Sequence, residues 1–310
     1  MTGRPVAEDV SVVVPTVGRS LIEGCLRSIG DGTVWPAELI VVDQGTNPDV
    51  ATWIDRLQGQ GVRTTHVASR ETGIAAATNR GFERVGTPVV ATTHDDCVVD
   101  PGWLERLAER VRPGGDAIVT GRVQPQGSGL VLTVVTAREP QRYTRPMIDR
   151  DVLFPANMAL PVRVLGRIGY MDEHPSLRLA AEDNEWAYRA LRARVPIDYE
   201  PEAVVSHVAW QERTAVRALY RRYARGQGAF YGKYLRRGDP HIALRAARDL
   251  ARAPWLVLRG TLSGNEELLA MGLGEIIGLP AGLLAGLGNR GDRDRTGPPF
   301  GERPGATASV

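Results

Sequence analysis

Asp95 and Asp96 stand side by side after an apolar run, residues 88–93 (PVVATT), with His94 before them and Cys97 after them. Two neighbouring carboxylates at the mouth of a sheet suit a hard divalent cation, which prefers oxygen ligands. A cation held there can bridge the two phosphates of a nucleotide diphosphate and neutralise its charge as it departs. The same pair also reads as a solvated turn capping the helix that Pro101 opens. A second acidic pair, Glu182 and Asp183, lies near the start of a helical stretch, 179–194. A carboxylate aimed into a cleft can take a proton from an acceptor hydroxyl as general base. Alternatively, the pair simply complements the positive end of the helix. His207 follows a strand-like run and reads as either a structural histidine or a metal ligand.

The elements that must position these groups alternate. Residues 10–14 form a β-branched run ending at Pro15, the pattern of a buried parallel strand. Residues 20–29 have helical spacing, with Ser20 as the expected cap. A second strand, 38–43, ends in Asp43; a helix follows over 47–57, a short strand over 63–67, a helix over 73–85 and a fourth strand over 88–93. Pro101 opens a helix with Trp103, Leu104 and Leu107 on one face. This alternation predicts an α/β fold with a doubly wound, mostly parallel sheet flanked by helices. Ligands of such sheets sit beyond the carboxyl ends of the strands, where Thr16, Asp43, Asp95 and Asp96 gather.

Beyond residue 116 the pattern loosens. Residues 117–160 are strand-like and broken by Gly and Pro; 197–199 and 203–206 read as two short strands. Residues 214–235 form an arginine- and tyrosine-rich helix, expected to break at Gly226 and Gly228. The stretch from 291 is rich in Gly, Pro and Arg and is expected to be disordered. Residues 268–288 carry one charge, Glu275, over a length that can span a bilayer. Gly274, Gly278, Gly282 and Gly286 recur at every fourth position, a spacing that lets helices approach closely. Pro280, Glu275 and the glycines weaken both helix and hydrophobicity. Three readings stay open: an interfacial segment, a packed soluble helix pair, and a true span.

Of 310 residues, 43% are apolar and 24% charged, which predicts a packed core. A net charge of +2 gives no bulk argument for nucleic acid. Lys233 is the only lysine among 38 basic residues; arginine forks suit phosphates, although a GC-rich coding sequence yields the same bias. Cys25 and Cys97 form no CxxC pair, so a disulfide framework is not expected and a reducing compartment fits. The first 15 residues lack the pattern of a secretory leader. A cytoplasmic location is expected, with peripheral contact at the inner face of the cell membrane. Gly286, Gly288 and Gly291 make a GxGxxG string that follows no strand, so it is no dinucleotide fingerprint.

Six pieces, in order, resemble the inverting family 2 glycosyltransferases of the GT-A fold. They are VSVVVPTVGR (10–19), ELIVVDQGT (38–46), GIAAATNRGF (73–82), VVATTHDDCVVDPGWLERL (89–107), ANMALPVRVLGRIGYMDE (156–173) and EDNEWAYRALR (182–192). The likeness covers roughly residues 10–235. It implies a tail over 1–9 and a GT-A domain over 10–212, with a nucleotide-sugar half to about 115 and an acceptor half after it. A C-terminal helical region over 213–290 then precedes the tail.

The resemblance also implies roles. Asp43 would bind the donor base, and Pro15, Thr16, Arg19, Gly73 and Asn79 would contact the nucleotide sugar. Asp96 would be the main metal ligand, for Mg or Mn, with Asp95 close to the ribose or the metal and His207 as a further ligand. Asp183 would be the general base, with Glu182 and Trp186 on the acceptor side. From their charge and position alone, Arg222 and Arg225 are expected to face the pyrophosphate. The donor would be a UDP-, GDP- or dTDP-sugar. The acceptor would be a saccharide, a lipid-linked saccharide or a small natural product, and no nucleic acid is expected. His94 stands where the family often has a first acid, and Gln44 where it often has a second acid after Asp43. A nucleotidyltransferase, or a non-catalytic nucleotide-sugar-binding protein, is the competing expectation.

Overall fold

The computed structural model describes residues 4–111, 114–131, 134–178 and 180–289. The tail expected from 291 lies outside the described residues. In chain order the strands are β1 (Val6–Thr16), β2 (Trp35–Asp43), β3 (Thr64–Ala68), β4 (Val89–Thr93), β5 (Cys97–Val99), β6 (Ile118–Gln126), β7 (Gln141–Tyr143), β8 (Asn157–Pro161) and β9 (Ile197–Val208). The helices are α1 (Ile22–Gly30), α2 (Asp49–Gln60), α3 (Ile74–Phe82), α4 (Trp103–Arg110), α5 (Arg163–Ile168), α6 (Glu182–Arg192), α7 (Val216–Leu235), α8 (Pro240–Ser263) and α9 (Glu266–Leu287).

The strands form one mixed sheet in the order β3-β2-β1-β4-β8-β6-β9-β5, with β7 pairing β9. The first four run parallel; β8 then lies antiparallel to β4. Helices cover both faces of the parallel half, so successive residues Val12, Val13 and Val14 are all fully buried. One core cluster holds Val12, Val14, Leu26 and Trp103, and the opposite face holds Val13, Ile40, Phe82 and Trp186. All carboxyl ends of β1, β2 and β4 therefore open on one edge.

Several local expectations are corrected. α1 begins at Ile22 after Leu21, which caps it without a side-chain hydrogen bond, so Ser20 is no cap. The two short strands at 197–199 and 203–206 join into the single strand β9, with a register shift in its pairing to β6. α7 runs unbroken through Gly226 and Gly228. A β-carbon on Gly226 would sit 2.2 Å from the Ala180 carbonyl oxygen, and one on Gly228 would sit 2.2 Å from that of Leu279. These glycines thus permit close packing rather than a break.

Residues 268–287 fall in one helix, α9, with Gly288 as its cap and Pro280 inside it. Its glycines lie against α7: a β-carbon on Gly282 would meet the Arg225 carbonyl oxygen at 2.0 Å. Its outer face leaves Ile276, Ile277, Leu284 and Leu287 exposed. The helix has the length and mean hydropathy, 1.8, to cross a membrane, with a third of its apolar window buried. Glu275 is buried against α8, where Arg252 pairs with it.

Candidate active site

The carboxyl ends of β1 and β2 lie side by side, with Thr16 in register with Asp43. Thr16 Oγ1 donates to Asp95 Oδ2 at 2.7 Å, and Arg19 Nη1 donates to Asp95 Oδ1 at 2.8 Å. Burial pushes the Asp95 carboxyl up, against the opposing pull of Arg19 and Thr16. Both oxygens of Asp95 therefore already hold the turn after β1. Asp43 Oδ1 accepts from the Gly45 amide at 2.8 Å, and its Oδ2 lies 3.4 Å from His66 Nε2. A β-carbon on Gly45 would sit 2.3 Å from the Val17 carbonyl oxygen, so only glycine lets the two loops touch.

Gln44, at the place of the second acid, donates its amide to the Gly73 carbonyl at 3.0 Å. That bond ties the loop after β2 to the entrance of α3. Gly73 has φ +114°, and a β-carbon there would also strike Arg178 at 2.6 Å. Arg178 in turn donates to Thr72 Oγ1 at 3.1 Å. The loop after β2 is thus connected to the segment leading into α6.

The second cluster depends on β5, a strand the sequence pattern did not reveal. β5 pairs antiparallel with β9 so that Cys97 stands opposite His207. Asp96 Oδ2 lies 3.4 Å from His207 Nε2 and accepts a 2.9 Å hydrogen bond from Trp210 Nε1. Asp96, Cys97 and His207 offer ligand atoms within 4.8 Å of one another. Burial works against ionisation of Asp96, but His207, His94 and the Trp210 bond outweigh it and hold the carboxyl well below its usual range. Burial pushes the Cys97 thiol well up, and a soft sulfur is a poor match for a hard cation. Burial drives His94 down to about 4, so its ring is neutral at pH 7. His207 Nδ1 is buried without a hydrogen-bond partner. The Asp96 carboxylate and the His207 Nε2 that faces it are oxygen and imidazole donors of the kind Mn or Mg accepts.

Trp210 links the two clusters. Its ring lies 4.6 Å under the Arg19 guanidinium, which also holds Asp95. The indole is 44% exposed, so it lies at the surface and not in the core. Sequence reasoning missed it; an exposed tryptophan three residues past a candidate ligand was the available signal.

On the other side, α6 starts after Ala181, which adopts φ +70°. Asp183 Oδ1 accepts from the Asn184 amide at 2.8 Å. Its side chain lines a cavity of about 400 Å³ whose outer wall is α7, α8 and α9. Burial raises both Asp183 and Glu182, and the Asp183 charge raises Glu182 further. Glu182 Oε2 is buried without a partner.

The sequence model of the family described as glycosyl transferase family 2 matches residues 11–164. The chain belongs to this family. As a glycosyltransferase it also has the expected structural company. A mannosyltransferase, PcManGT from Pyrobaculum calidifontis, solved with GDP-Man and Mn2+, superposes with TM-score 0.60 at 18% identity, covering 93% of this chain and 89% of that one. Residues 1–349 of TarS from S. aureus give TM-score 0.53 at 13% identity, covering 86% and 90%. GalNAc-T7, solved with UDP, GalNAc and Mn2+, gives 0.51 at 16% identity, covering 64% of this chain and 43% of that one. At these identities the likeness establishes the GT-A fold. No curated protein matches the sequence.

Two expected contacts of this glycosyltransferase are corrected by its packing. Asn79 is 1% exposed and spends its amide on Met171 N, Met171 O and Glu173 Oε1 at 2.8–2.9 Å, so it fixes the 171–173 segment and not the donor. Trp186 is fully buried, stacks on Phe82 and donates to the Gly169 carbonyl; it is a core residue and not an acceptor platform. Arg222 lies over the Tyr223 ring at 5.6 Å and its charge acts on Glu182, so it stands near the start of α6. Arg225 is exposed on α7, with its carbonyl against Gly282.

Proposed function

We propose that this glycosyltransferase moves a sugar from a nucleotide diphosphate donor to an acceptor hydroxyl with inversion, assisted by Mn or Mg. The observation that carries the reading is the Asp96–His207 pair, a carboxylate and an imidazole 3.4 Å apart where β5 meets β9. The Mn2+ and GDP-Man of the mannosyltransferase with the same fold support it. Asp96 and His207 would hold the ion, which supplies positive charge against the departing diphosphate.

The rest is done by side chains. Asp43 and the Gln44–Gly73 bridge shape the floor for base and ribose. Pro15 precedes Thr16, and Thr16, Asp95 and Arg19 form one bonded unit beside the diphosphate. Asp183 takes the proton of the acceptor hydroxyl. The acceptor oxygen bonds to the anomeric carbon as the bond from that carbon to the phosphate oxygen breaks, and the nucleotide diphosphate leaves with the electron pair. Burial of Asp183 suits this role, because a raised carboxyl is a stronger base that is still ionised at neutral pH.

A thermal-shift screen of GDP-, UDP- and dTDP-sugars tests the reading. One donor is expected to stabilise the protein only with Mn or Mg, and turnover is expected to release nucleotide diphosphate. Release of pyrophosphate instead would mark a nucleotidyltransferase. Peripheral contact with the cytoplasmic membrane face belongs to the same proposal, supported by the exposed Ile277 and Leu284 on α9. Flotation with vesicles tests it, and loss of flotation is expected for Ile277→Asp with Leu284→Asp.

A further inference from the structure

The cavity beside Asp183 has a composition that restricts its occupant. Its volume of about 400 Å³ falls within the range of small-molecule sites, roughly 300–1,000 Å³. Five carboxyls and three guanidiniums line it. The guanidiniums are all matched: Arg150 with Asp149, Arg245 with Asp151 at 2.7 Å, and Arg252 with Glu275. Asp249 accepts from Tyr231 Oη and from Arg248. Asp183 has no cationic partner among the described residues. A phosphate needs a surplus cation or a row of free amides to offset its desolvation, and this lining offers an acidic surplus instead.

The rest of the lining suits hydroxyl-bearing rings. Phe154, Tyr220 and Tyr223 bring aromatic faces, and Asn184 and Gln227 bring amides that both donate and accept. The Asn184 and Gln227 side chains bond each other at 2.8 Å, so they hold a fixed orientation beside Asp183. Tyr223 is 39% exposed and so stands at the rim, not in the core. The wall is also unusual in origin: Tyr220, Arg245 and Glu275 come from α7, α8 and α9 in turn. All three helices lie beyond the residues matched to the family.

We propose that this cavity is the acceptor subsite, that α7–α9 form its outer wall, and that it takes an uncharged saccharide end rather than a phosphate-bearing one. The proposal rests on the reading of Asp183 as the base. A free saccharide and a glycolipid headgroup share this chemistry.

Saturation-transfer NMR on the full chain with Mg and GDP or UDP tests it, using methyl glycosides, octyl glycosides and sugar 1-phosphates as probes. Methyl or octyl glycosides are expected to bind, with sugar phosphates at least tenfold weaker. Tyr223→Ala is expected to weaken glycoside binding at least tenfold while Tyr223→Phe retains it, with nucleotide affinity unchanged in both. Asp149→Asn frees the exposed Arg150 and is expected to raise sugar-phosphate binding severalfold. Tighter octyl than methyl glycoside binding identifies a glycolipid headgroup, and equal binding identifies a free saccharide; both uphold the subsite. Preference for sugar phosphates in the unaltered protein, no binding of any glycoside, or binding indifferent to Tyr223→Ala overturns it. Full transfer activity in Asp183→Asn overturns instead the assignment of the base, which the binding measurements do not touch.

Discussion

Asp96 Oδ2 faces His207 Nε2 at 3.4 Å because the backbone fixes both. Cys97 is in register with His207, and the Val208 amide donates to the Asp96 carbonyl at 2.8 Å. Neither side chain needs a flexible loop to reach the other. The pair is therefore preorganised, as the proposed ion site requires.

Removal of either ligand is expected to abolish metal-dependent nucleotide binding in calorimetry. Asp96→Asn and His207→Ala both serve, and a retained Mn-dependent signal in either would remove that residue from the site. Trp210→Phe keeps a ring under Arg19 but deletes the bond to Asp96. Partners that orient metal ligands typically contribute about 10–100-fold, so Mn affinity is expected to fall by about that factor.

Asp183 must be ionised to accept a proton. Burial raises its carboxyl above the ordinary aspartate value of about 3.9. The rate is thus expected to be full at neutral pH and to fall as pH drops through the raised value, giving an acid limb above the usual carboxylate range. Asp183→Asn is expected to lower kcat by about 10²–10⁴-fold with donor binding unchanged. A kcat profile flat down to pH 4 would contradict the role.

The sole lysine is structural. Lys233 Nζ bonds Asp172 Oδ2 at 2.8 Å and Glu185 Oε1 at 2.9 Å, with its side chain 1% exposed. Burial opposes the Glu185 charge, but Arg189 and Lys233 hold its carboxyl down to about 2. Lys233→Ala removes one of the two cations on Glu185 while Arg189 and the Tyr234 hydroxyl remain, and is expected to cost about 1–3 kcal/mol in urea unfolding. The sign of the pH effect follows from the depressed carboxyl. Its stabilisation is complete above the unfolded value near 4.3 and is lost as pH falls toward about 2. Thermal midpoints of Glu185→Gln are expected to fall less steeply over that window than those of the unaltered protein.

The α7–α9 seam is tested by alanine. Gly282→Ala forces a β-carbon toward the Arg225 carbonyl oxygen at 2.0 Å and Ala229 N at 2.8 Å, so the helices must part. A loss of about 1–3 kcal/mol is expected. Gly59→Ala, in α2 with nothing within 4 Å, is the control and is expected to be neutral or stabilising by up to about 1 kcal/mol. Equal melting shifts for the two would show that the seam tolerates the extra methyl group.

Much of the parallel half was legible. The β-branched runs at 10–14 and 38–43 and the alanine-rich stretch in α3 carry their own periodicity, so strands and helices fell within a few residues of the observed ones. Asp43, Asp95 and Asp96 were legible as candidates because each stands at or just past the end of such a run, and the structure places all three on that edge of the sheet. Asn79 and Trp186 were misread, because an amide or indole in a matching motif looks the same whether it faces a donor or the 169–173 segment. β5 was invisible, since three residues carry no periodicity and only the edge of β9 makes them a strand.

By itself, the sequence determined the alternating elements, the edge on which the acids collect and the family. Those depend on local spacing, which each segment carries in its own residue types. Tertiary structure alone decided that His207 faces Asp96, that Trp210 bridges to Arg19, that Lys233 is buried, and that three C-terminal helices wall the cavity at Asp183. Each of these joins segments far apart in the chain, and such contacts exist only once strand register and helix packing have been settled by burial of the whole core.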